Sequence, residues 1–121
     1  MRCDSIRQVS FLLPLRAVVE ERTWQPPVDV YTTADGWLIK FDLAGVRPDD
    51  IQVTFDANRL IVTGCRRDCS LEEGCRHLQM EISYAHFERT IILPDDLQSA
   101  VIRTEHRDGM LLIRILKGTQ A

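Results

Sequence analysis

The fold class predicted by this 121-residue sequence is an all-β, immunoglobulin-like antiparallel sandwich, and three observations predict it. Apolar and polar residues alternate with a period of two in one short stretch after another. Those stretches are separated at regular spacing by Gly, Pro, Asp and Asn turn signals. The body of the chain carries no sustained helical periodicity. The clearest case is the run ending at Asp42-Leu43-Ala44-Gly45-Val46-Arg47-Pro48, where Trp37, Ile39, Phe41 and Leu43 alternate with Leu38, Lys40 and Asp42. After the turn, Ile51, Val53 and Phe55 alternate with Gln52 and Thr54. Gly45 takes a positive φ without penalty and Pro48 fixes its own, so the connector is written chemically.

The elements follow in order. Residues 1–26 are an N-terminal arm and linker: Val9 to Val19 is almost continuously apolar, interrupted by Pro14 and Arg16, and Pro26-Pro27 makes a stiff extended boundary. Residues 27–117 are the sandwich and 118–121 a short tail. A first strand is expected at Val28–Thr32, closed by Ala34-Asp35-Gly36, and a second at Gly36–Leu43. Ile51–Phe55 is the third and Arg59–Thr63 the fourth, ended by Gly64. From Cys65 to about His77 the pattern gives way to charge and cysteine, which reads as a long loop. A short strand is expected at Leu78, Met80 and Ile82 within or beside that loop. Phe87–Leu93 is stopped by Pro94, Ala100–His106 leads into the Asp108-Gly109 turn, and Met110–Leu116 closes the sandwich. Roughly eight strands result.

Composition narrows the function. A net charge of −3 gives no electrostatic reason to expect nucleic acid. No apolar run approaches the ~18–20 residues that span a bilayer, so no membrane partner is expected. Arg2 and Arg7 ahead of Val9–Val19 faintly suggest a secretory signal, but Pro14, Arg16 and the following Glu20-Glu21-Arg22 argue against it. The expectation is a cytoplasmic protein with reduced thiols.

No catalytic constellation stands out, and none of the six glycines clusters into a phosphate-binding loop. Asp49-Asp50 and Asp95-Asp96 read as turn formers. His77, His86 and His106 are scattered. No enzyme activity and no cofactor are expected. Cys65, Cys69, Cys75 and His77 offer donors suited to zinc, but their Cys-x3-Cys-x5-Cys-x-His spacing lacks the tight Cys-x2-Cys of common sites. Incidental loop cysteines are the plain expectation, and a redox role favoured by Arg66, Arg67 and Arg76 is the rival. Cys3 stands alone.

Four motifs, in order and covering about Pro27 to Lys117, give the chain a family resemblance. Asp42-Leu43-Ala44-Gly45-Val46 with Ile51-Gln52-Val53 resembles an Asp-Leu-Pro-Gly-Val turn and strand, with Ala44 in the place of proline. Leu60-Ile61-Val62-Thr63-Gly64 with Arg66 resembles Leu-x-Val-x-Gly-x-Arg. Ser83-Tyr84-Ala85-His86-Phe87-Glu88-Arg89 with Leu93-Pro94 is similar to Ser-Tyr-Gly-x-Phe-x-Arg…Leu-Pro. Asp108-Gly109-Met110-Leu111 is similar to Asn-Gly-Val-Leu. These are the motifs of the small heat-shock proteins and their α-crystallin domain.

The resemblance implies ATP-independent holding of unfolding proteins. It also implies that the loop at 65–82 exchanges a strand between two subunits, as in bacterial and plant members, with Leu78 and Met80 at the dimer interface. Arg89 occupies the position of the family's arginine at the subunit contact; an intrachain carboxylate pair is the alternative. Thr104 replaces a usual alanine and Leu116 a usual proline. The family's Ile-x-Ile/Val docking motif lies in a C-terminal extension, whereas Ile113-Arg114-Ile115 belongs to the last strand. A homodimer or small oligomers are therefore expected rather than large shells.

A holdase needs exposed apolar surface and open strand edges. Phe11, Leu12, Leu13, Leu15 and Val18 are the expected client-binding residues, and Val53, Phe55 and Val101 the expected edge groove. The partners expected are unfolding proteins and a second copy of the chain. Two rival functions remain: a co-chaperone or scaffold resembling CS-domain proteins, and a holdase gated by metal or oxidation through the loop cysteines.

Overall fold

The computed structural model describes residues 24–118, which fold as two antiparallel sheets face to face. Seven strands form: β1 (Val28–Thr32), β2 (Gly36–Asp42), β3 (Ile51–Asp56), β4 (Arg59–Cys65), β5 (His86–Ile92), β6 (Val101–Arg107) and β7 (Met110–Leu116). One sheet has the order β1-β2-β7-β6 and the other β3-β4-β5.

The period-two reading holds because one side of each sheet faces the other. Trp37, Ile39 and Phe41 of β2 and Leu111, Ile113 and Ile115 of β7 are buried. The register pairs them directly, Trp37 with Ile115, Ile39 with Ile113 and Phe41 with Leu111. Leu60 and Val62 of β4 and Phe87 of β5 meet them from the opposite sheet. Each such side chain contributes about 1.5–3 kcal/mol on leaving water. The core is apolar: no described polar or charged residue is classed as buried.

Turn chemistry fixes the registers. β6 and β7 are joined by Asp108 and Gly109 alone, at φ 54° and 78°, the conformation whose twist suits a two-residue hairpin. The β2–β3 connector closes through a Val46 N–H to Leu43 carbonyl bond of 3.0 Å, then a single 3₁₀ turn at Pro48–Asp50.

Three expectations are corrected. Among the described residues seven strands form where roughly eight were expected. Gly64 does not end β4, which continues to Cys65. A Cβ at Gly64 would lie 2.4 Å from the Asp50 carbonyl oxygen and 2.6 Å from the Phe87 ring, so this glycine permits close approach inside the sheet. The strand expected at Leu78–Ile82 is absent, and residues 66–85 form turns and irregular chain. Alternation there has no neighbouring strand in the same chain with which to share a ladder.

Candidate interaction surfaces

The loop between β4 and β5 carries the most exposed apolar side chains of the described residues. Leu78 is 98% exposed, Met80 53% and Ile82 59%. Leu71 adds to them, and with Tyr84 these residues line a shallow concavity within the loop itself. On the sandwich, β1 is an edge strand whose Val30 and Tyr31 are also exposed. The loop thus presents an apolar row, and β1 an open edge with apolar side chains beside it.

A second surface lies where the two sheets' other edges approach. β3 borders its sheet and β6 borders the other. Between them is a cavity of about 140 Å³ lined by Pro48, Ile51, Val53, Thr104, His106 and Leu111. Of the three groove residues expected from sequence, Val53 lines this cavity. Phe55, 44% exposed, follows Ile51 and Val53 in alternation along β3. Val101 pairs with Leu116 at the start of β6 and lies outside the lining. From β6 the lining residues are Thr104 and His106, and neither Phe55 nor Val101 is among them.

Arg89 lies on β5 opposite Val62. Its Nη1 donates to the Pro26 carbonyl at 2.9 Å, so within one chain it ties the linker to the sandwich rather than pairing with a carboxylate. The arm residues Phe11, Leu12, Leu13, Leu15 and Val18 lie outside the described residues.

The expectation of reduced thiols is corrected at Cys65, which is buried and disulfide-bonded. Cys69 and Cys75 are free and exposed. Among the described residues no group of three or more His, Cys, Asp and Glu side chains is placed to hold a metal ion. None of the described elements is a helix long and apolar enough to cross a membrane.

Sequence reasoning noticed Arg66 as a motif letter and as a basic neighbour of the loop cysteines, not as a structural tie. Its backbone N–H donates to Ala85 at 3.0 Å, its Nε to the Ser83 carbonyl at 2.8 Å and its Nη1 to the Ala44 carbonyl at 3.2 Å. Its guanidinium also sits 3.8 Å over the Trp24 ring. Leu97 was missed too. It is fully buried in the β5–β6 connector, with its N–H bonded to Ala57 at 2.9 Å, and the flanking Pro94-Asp95-Asp96 masked it as plain turn.

Comparison with known proteins agrees with this architecture. The model of the Hsp20/alpha crystallin family matches residues 29–121. The spore protein SP21 of Stigmatella aurantiaca is 32% identical over 92 residues, covering 76% of this chain but only 54% of its own length. The 18 kDa heat shock protein of Streptomyces albus G is 29% identical over 122 residues, covering 95% of this chain and 82% of its own. Among solved structures, hspA of Xanthomonas axonopodis superposes with a TM-score of 0.64 at 34% identity, over 78% of this chain and 94% of that one. With the expected two-sheet sandwich formed and a family match running from within β1 through β7, the chain belongs to the Hsp20/alpha crystallin family of small heat-shock proteins.

Proposed function

We propose that this protein is an ATP-independent chaperone that holds unfolding proteins and keeps them from aggregating. The observation that carries the reading is apolar surface left open around a well-packed sandwich: the β3–β6 cavity between two strand edges and the exposed loop row Leu78, Met80 and Ile82. An unfolding client offers extended apolar segments. Such a segment gains backbone bonds at an open edge and loses water from its side chains, at roughly 25 cal/mol per Å². The cavity suits a single branched apolar side chain, so it selects extended segments rather than folded surfaces. No cofactor is needed for this chemistry. The apolar arm, with Phe11, Leu12, Leu13, Leu15 and Val18, supplies further client-binding surface.

Self-association belongs to the same reading. The loop segment at Leu78–Ile82 becomes a strand when it lies along an open edge of a second copy, and the exposed edge β1, with Val30 and Tyr31, supports β1 as the acceptor. The working unit is then a homodimer, with larger assemblies held mainly by the arm. The free, exposed thiols of Cys69 and Cys75 favour one variant of this reading, in which oxidation of the loop changes the dimer.

The test is to heat a labile globular enzyme with the protein in the absence of nucleotide and to separate the mixture by size. A soluble complex containing both chains is expected. Precipitation of the enzyme with the protein left free in solution would contradict the reading.

A further inference from the structure

Arg66 joins three parts of the molecule that the sequence keeps far apart. The long loop leaves β4 at Arg66 and returns through Ser83 and Ala85 to β5. Arg66 closes that loop at its base, with its own backbone N–H on Ala85 and its Nε on the Ser83 carbonyl. Its Nη1 reaches across to the Ala44 carbonyl in the β2–β3 connector. Its flat face covers Trp24, the residue at which the linker meets the sandwich. Trp24 is in turn held by its N–H on the His86 carbonyl at 3.0 Å and by an edge-on contact with Phe87 at 5.7 Å. The neighbouring Arg67 adds a 2.9 Å ion pair to Asp50 on the same connector.

We infer that Arg66 is a positioning residue. It fixes both ends of the long loop to the linker and to the β2–β3 connector, and thereby sets how strongly the loop holds a second copy of the chain. This rests on the proposed loop-mediated dimer. The chemistry requires arginine: a planar guanidinium donates in its plane to two carbonyls while its face stacks on an indole. A lysine ammonium keeps the charge but not that geometry. The loop's middle is exposed and irregular, so its direction is set at the base, where Arg66 holds both ends. Fixing the base beforehand lowers the ordering cost when the loop meets its partner.

The experiment measures dimer dissociation by sedimentation and amide exchange residue by residue, in the full chain and in Arg66→Lys, Arg66→Ala and Leu78→Asp/Met80→Asp. Both Arg66 variants are expected to dissociate about tenfold more readily, the scale of one or two lost charge-assisted bonds. Exchange should rise at the amides of Trp24 and of residue 66, the two backbone donors at the loop base, while the amides of Leu111, Ile113 and Ile115 keep their protection. Arg66→Lys behaving like the parent would overturn the proposal, because only the guanidinium geometry distinguishes them. Loss of protection throughout β7 would also overturn it, since Arg66 would then merely support the sandwich. The double aspartate variant separates the two claims. If it leaves the dimer as tight as the parent, the loop-mediated dimer fails and the inference falls with it. If it weakens the dimer while both Arg66 variants do not, the dimer reading stands and the role of Arg66 is refuted.

Discussion

At Gly64 a single hydrogen in place of a methyl group decides whether β3, β4 and β5 share one register. The glycine pairs with Ile51 on one side and Phe87 on the other, and the Asp50 carbonyl and the Phe87 ring fill the space a side chain would need. Gly64→Ala is expected to cost about 1–3 kcal/mol, the usual range for overpacking, measured as a lowered urea midpoint with an unchanged slope. Sequence alone read this glycine as a strand end, because glycine most often punctuates; its packing role appears only when Phe87 is seen across the ladder. Arg89 poses a different question. Its bond to the Pro26 carbonyl is intrachain, and Pro26 is buried, so Arg89→Ala is expected to cost about 1–3 kcal/mol independent of protein concentration. A loss that grows on dilution would instead place Arg89 at a subunit contact.

Elements whose partners lie in the same chain were legible almost to the residue. β1, β2 and β7 needed only alternation and a turn at each end, because the same chain supplies each strand's neighbour and β2 and β7 each bury one face. The segment at Leu78–Ile82 has the same alternation and forms no strand, since periodicity reports which residues want one face and not which chain supplies the other side. Deleting Cys69–Gly74 should therefore leave mostly monomer by sedimentation, and an undiminished dimer would count against strand exchange. Of the residues expected at the groove, the β3–β6 cavity is lined by Val53 and not by Phe55 or Val101. Val53 was found by its phase on β3, whereas on β6 an apolar residue was sought and the groove is lined by Thr104 and His106. Val53→Asp is expected to weaken capture of an extended apolar peptide by at least tenfold, and Val101→Asp to leave it within about twofold, both read by peptide fluorescence anisotropy.

For the whole molecule, the sandwich is a rigid carrier and the interaction surfaces are appended to it. Loop and groove each expose apolar surface that the core does not need, so they can be altered without unfolding the domain. Removing residues 1–23 should reduce larger assemblies to dimers, read by sedimentation. The end of β7 is less dispensable than its length suggests. The Lys117 N–H bonds to Asp35 at 2.9 Å and its Nζ lies 5.2 Å over the Trp37 ring. The central claim is that this open apolar surface holds unfolding chains without nucleotide. Light scattering from a heat-labile enzyme tests it most directly, with the parent and Phe11→Asp/Leu13→Asp compared at equal concentration. The parent is predicted to suppress scattering at near-stoichiometric ratios without ATP, and the double aspartate variant to lose most of that suppression while unfolding at the parent's temperature. Scattering that rises equally with and without the parent protein would contradict the account.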